Sequence, residues 1–212
     1  MAATKTIYKQ LNVLFFIMDA YKIIQEVQKR YDDSSLRIVI KDKNNQEVLM
    51  NRFEKEHSQL IAEWAVKLFG EENDVVKVAA AAHDWDRTFP ERRVPYESSP
   101  EKYLEYKINH SLNTAVIFNE NFGDVIENSQ MRDICYLIRR HEIGGRKDAD
   151  GNLLYMPDSS NSFNLDEAAE KIQMADSISG FIAFLDKGPL IESRGEKYGR
   201  KKMSFYYERA SK

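Results

Sequence analysis

Apolar residues recur along most of the chain at the spacing of an α-helix, which predicts a succession of amphipathic helices. Leu11, Leu14, Phe15, Met18, Tyr21, Ile24 and Val27 form the first stripe, and the turn-rich Asp32-Asp33-Ser34-Ser35 ends it. Residues 36–50 break the period. Leu36-Arg37-Ile38-Val39-Ile40 and Glu47-Val48-Leu49-Met50 flank residues 41–46, with Asn44-Asn45 as a turn, a pattern that fits either a small β-hairpin or an irregular excursion.

Leu60, Ile61, Trp64, Ala65 and Leu68 mark the next helix, which should stop at Gly70 because glycine tolerates the positive φ of a C-terminal cap. Val75, Val78, Ala79 and Ala82 mark another, whose alanines permit close approach of a neighbour and lead into His83-Asp84. Ser99-Pro100-Glu101 supplies an N-cap, a proline at the first helical position and an acid in the first turn. That helix is expected to run on through Leu112, Val116 and Ile117 to the neighbourhood of Gly123. A segment over residues 131–140 ends in His141-Glu142-Ile143-Gly144-Gly145, where the glycines should break it. Residues 146–164 are polar and turn-rich, long enough for a lid over a site. Asn164 and Glu167 resemble a capping box that opens a helix to residue 186, with Ala168, Ile172, Ala175, Ser179 and Ile182 inward. A last helix is expected over residues 196–208. The pattern as a whole predicts an all-α, single-domain helical bundle spanning residues 1–212, with no internal repeat.

Length and composition agree with one domain. A chain of 212 residues buries roughly 70% of its unfolded surface. Its 42% hydrophobic and 31% charged content is that of a globular protein. A formal net charge of -3 supplies no bulk attraction to nucleic acid or to an anionic membrane. The apolar run at residues 13–18 is far short of the roughly 20 residues that span a bilayer. Tyr21 and Lys22 continue the helix where a cleavage site would need small residues, so a cytoplasmic location is expected. The single cysteine, Cys135, lies among Met131, Ile134, Leu137 and Ile138 and is expected to pack in the core. Asp148-Ala149-Asp150-Gly151-Asn152 is read as a solvated turn, since it lacks the length and terminal glutamate of a calcium loop. The basic and aromatic residues between Arg194 and Tyr207 fit a helix docking its rings on the core better than a nucleic-acid surface.

Chemistry enters with the histidines. All 4 of them fall into one ordered series with two aspartates: His57, His83-Asp84, His110, His141 and Asp176. Imidazole nitrogen with carboxylate oxygen suits a divalent transition metal, whereas a magnesium site would be richer in oxygen. Iron or manganese is expected first, with zinc, nickel and cobalt compatible, and six ligands suffice for two ions.

This order of residues resembles the HD-domain superfamily of metal-dependent phosphohydrolases, whose signature is a histidine, a His-Asp pair and a distant aspartate on a helical core. The resemblance covers residues 52–186, and the extra histidines, His110 and His141, are similar to those of its two-metal branch. It implies that His57, His83, Asp84 and Asp176 hold one ion, and that Asp84, His110 and His141 hold the second. The chain departs from the pattern where His141-Glu142 replaces a pair of histidines, and where His83-Asp84-Trp85-Asp86-Arg87 replaces HD-x-G-K; both count against cyclic-dinucleotide activity.

The mechanism so implied is attack by metal-activated water on a phosphomonoester, phosphodiester or phosphoanhydride of a nucleotide or related small molecule. Arg87, three residues after Asp84, is expected to face the phosphate or to pair with an acid, with Arg92 and Arg93 as further phosphate-binding candidates. Glu142 is a candidate for proton transfer or for orienting a histidine. The same residue order also resembles the mixed-valent diiron oxygenases of the superfamily. A third alternative is a non-catalytic module that binds a nucleotide. A homodimer is compatible with the sequence, and a membrane partner is not expected.

Overall fold

The computed structural model describes residues 19–33, 39–41, 47–49, 51–92, 94, 100–142 and 165–186. Among them are six α-helices: α1 (Ala20–Asp32), α2 (Asn51–Phe69), α3 (Asp74–Ala82), α4 (Pro100–Phe122), α5 (Asn128–Arg140) and α6 (Leu165–Asp186). Two short strands, β1 (Val39–Lys41) and β2 (Glu47–Leu49), pair antiparallel with Val39 opposite Leu49. Two turns of 3-10 helix, Trp85–Thr88 and Pro90–Arg92, follow α3. The architecture is all-α. No described helix is long and apolar enough to cross a membrane. The expected lid at 146–164, the 148–152 turn, Arg93 and the helix at 196–208 lie outside the described residues.

The bundle is built around α3. It touches α1, α2, α5 and α6, while α2 packs along α6 and α4 packs on α5. Asn73 opens α3 by accepting a hydrogen bond from the Val76 N–H at 3.2 Å. Val75, Val76, Val78 and Ala79 through Ala82 are then all buried, so that from Val78 onward the helix has no solvent face. Small side chains make this possible, because several helices can approach one alanine-rich rod at once. Gly70, at φ 88°, closes α2 in the left-handed conformation expected of it.

Two inward faces differ from the sequence expectation. In α1 the buried residues are Ala20, Ile23, Val27, Gln28 and Tyr31, while Tyr21 is 70% exposed. The apolar stripe is rotated because Gln28 goes inside, where its amide donates to Ser58 Oγ at 2.7 Å. In α4, Leu112 and Val116 are exposed, and Thr114, Ala115, Ile117, Phe118 and Phe122 face the core. Cys135 is half-buried against the core, as expected of a packing residue, and burial pushes its thiol up to about 11.

Aromatic packing fixes the segment after α3. The Trp85 ring stacks on Phe122 at 5.3 Å and meets Phe89 edge-on at 5.1 Å. Burial of side chains this size stabilises by roughly 1.5–3 kcal/mol each. The Arg30 guanidinium covers the other ring, 3.5 Å from the Phe89 centroid, and Arg30 Nε donates to Thr88 Oγ1 at 3.0 Å. Trp85 thus anchors the two acids beside it, Asp84 and Asp86.

Candidate metal centre

His57 comes from α2, His83 caps α3, His110 lies mid-way along α4, His141 caps α5 and Asp176 lies on α6. His83 and Asp84 do not share one helix. His83 keeps helical backbone angles, but Asp84 has left the helix at φ -115°, ψ 21°. Leaving the helix turns its carboxylate toward α4 and α5.

The six expected ligands meet in two adjoining buried groups. One contains His57, His83 and Asp176; the other contains Asp84, His110, His141 and Glu142; within each, one donor atom per residue lies within 4.8 Å of the others. Both could hold a metal ion. Asp84 stands between them: Oδ1 is 2.6 Å from His110 Nε2 and 3.5 Å from His141 Nε2, and Oδ2 is 3.3 Å from His83 Nε2. Across the first group, His57 Nε2 lies 3.2 Å from Asp176 Oδ1.

The outer nitrogen of every histidine is occupied. His83 Nδ1 is 2.9 Å from the Ala80 carbonyl and His141 Nδ1 is 2.6 Å from the Ile138 carbonyl. His57 Nδ1 is 2.9 Å from Ser179 Oγ, and His110 Nδ1 is 2.8 Å from Asp86 Oδ2. A carbonyl only accepts, so His83 and His141 carry a proton on Nδ1, and in the neutral ring Nε2 is then a lone pair. Both Nε2 atoms are buried with no hydrogen-bond partner and face carboxylate oxygens. Lone pair against lone pair is repulsive, and a cation between them removes the repulsion. This donor set therefore fits a divalent metal, with outer groups fixing each ring in the ligating tautomer.

Charge is concentrated here. Burial opposes ionisation of Asp84, but Arg87 and the hydrogen bond with His110 hold its carboxyl well below the usual range. Burial likewise opposes ionisation of Asp176, and its bond to His57 keeps it far below that range. Glu142, against burial, is drawn down to about 2 by Lys107. Burial works against the charged form of His110, yet its bonds to Asp84 and Asp86 hold it up at about 9. With the folded value raised, this charge stabilises the fold below the ordinary histidine pKa, and the contribution fades as pH rises through about 9. A ligand must shed that proton. Binding of a divalent ion near neutral pH is therefore expected to release a proton from His110, with affinity climbing as pH approaches about 9. Calorimetric titrations in two buffers of different ionisation enthalpy measure the release, and identical heats in both would contradict it.

The remaining expected residues are placed as follows. Arg87 Nη1 binds both Glu54 oxygens at 2.9 and 2.8 Å and Nη2 binds Asp84 Oδ2 at 2.7 Å, with the side chain 28% exposed. Arg92 pairs with Glu120, away from the ligands. Glu142 pairs with Lys107 and joins the second group rather than standing outside it. Asp86, Glu54, Ser179 and Lys107 had no assigned part at the site in the sequence. For Asp86 a signal existed, since it puts a carboxylate where the resembled motif has glycine. Comparison with protein-family models, with curated proteins and with solved structures gives no match.

Proposed function

We propose that the chain is a metal-dependent phosphohydrolase of the HD-domain type, acting on a phosphate ester or anhydride of a small molecule. The observation that carries the reading is the convergence of four histidine Nε2 atoms on Asp84 and Asp176, each ring held from behind through Nδ1. His57, His83 and Asp176 would hold one ion, His110 and His141 the other, and Asp84 both. When bound, the ions supply an acidified water as nucleophile and neutralise phosphoryl oxygens in the transition state.

The protein's own groups do the rest. Asp86 and Ser179 orient His110 and His57. Arg87, bound to Glu54 and Asp84 through both Nη atoms, orients the Asp84 carboxylate and would reach a phosphate only by exchanging one of these acids for it. Glu142 is a carboxylate at neutral pH, so it can accept a proton or hold a cation, whereas donating a proton to a leaving group falls to water.

Protein loaded with iron or manganese is expected to release phosphate or a nucleotide from a member of a nucleotide and sugar-phosphate panel. Absence of turnover with iron, manganese, zinc, nickel and cobalt alike overturns the proposal. Turnover with redox-inert zinc excludes the oxygenase alternative.

A further inference from the structure

The second group contains a buried ion pair that the phosphohydrolase reading leaves without a purpose. Glu142 follows His141 just beyond α5 and is 4% exposed, with Oε1 3.7 Å from His141 Nε2. The Lys107 ammonium binds that same Oε1. Lys107 lies on α4 three residues before His110, so the helix brings it to the face that carries the ligand. Its side chain is 14% exposed. The Nε2 atom of His141, buried and lacking a hydrogen-bond partner, sits in the same group as the Glu142 oxygen.

An ammonium and a divalent ion are alternative counter-charges for one buried carboxylate. We propose that Glu142 is a ligand of the ion held by Asp84, His110 and His141, and that Lys107 neutralises it only until that ion binds. Loading thus exchanges Lys107 for metal at Oε1. The inference rests on the metal-centre reading and is independent of what reaction the loaded site performs. It also evens out the two groups: with Asp84 shared, each then offers two carboxylates and two imidazoles.

The test is binding of manganese alone to the full chain, followed by calorimetry and by electron paramagnetic resonance of the ion. Wild-type protein should bind two ions. Glu142→Gln, nearly isosteric, should weaken one of them by roughly 100-fold and leave the other within about threefold. Lys107→Met should act in the opposite direction and tighten that same ion by about tenfold or more, because the competing charge is gone. A purely structural salt bridge predicts that both variants weaken binding alike, and that result overturns the exchange. If Lys107→Met does not fold alone, folding on addition of manganese is expected, and aggregation with or without manganese counts against the proposal. Two ions in wild type with Glu142→Gln indistinguishable from it overturns this inference alone. No manganese bound by wild type overturns the metal centre as well.

Discussion

Asp84→Asn is expected to empty at least one of the two metal positions and to reduce turnover by roughly a thousandfold or more, since nucleophile and charge stabiliser depend on the same ions. The expectation follows from where the two oxygens lie. Oδ1 serves His110 and His141, while Oδ2 serves His83 and Arg87. An amide keeps one oxygen and puts an NH2 in place of the other. Depending on its orientation, that NH2 faces either the imidazole lone pairs of the second group or the Arg87 guanidinium, and one group or the other loses its shared ligand. Asp176→Asn reaches only the first group and should leave the second loaded. Elemental analysis of both variants separates these outcomes. Asp84→Asn protein with a full complement of metal would remove Asp84 from the centre of the mechanism.

Removing metal from the loaded protein should lower its thermal midpoint by roughly 10–20 °C. Each ion at a hundredfold excess over its dissociation constant stabilises the folded state by about 2.7 kcal/mol. For a chain of this size, each kcal/mol moves the midpoint by about 2–4 °C. The physical source is the gathering of Asp84, Asp176 and Glu142 with four histidines into two adjoining groups of donor atoms, each of which could hold an ion. Calorimetric scans before and after chelation, with metal added back, measure the shift. A midpoint unmoved by chelation and reloading would mean that these groups are satisfied without ions.

Most of the helical order was legible because period and punctuation agreed. Gly70, the alanine run of α3 and the proline at the start of α4 each mark a boundary with a local physical cause. Faces were harder to read than elements. Leu112 and Val116 are apolar and helically spaced with Ile117, yet both are exposed, because the tertiary fold turned Thr114 and Phe118 inward instead. Gln28 shows the reverse: a polar residue enters the interior of α1 because Ser58, 30 residues further on, supplies its partner. The ligands were readable for a different reason, since histidine is scarce enough here for its order along the chain to be informative. The outer groups were not, because Ser179, Asp86 and Lys107 acquire their meaning only from residues on other elements. Glu142 was visible as the neighbour of a ligand, but its place inside the second group depends on how the chain turns after α5.

The joining of α2 to α6 also sets an order in which the first group can be completed during synthesis. His57 and Ser179 are 122 residues apart in the chain yet in direct contact, and Asp176 completes the same corner. While the polypeptide is still emerging from the ribosome, the half of the centre built on α2 and α3 lacks its closing acid. An ion bound in this group as proposed would therefore gain its full set of ligands only once α6 has been synthesised.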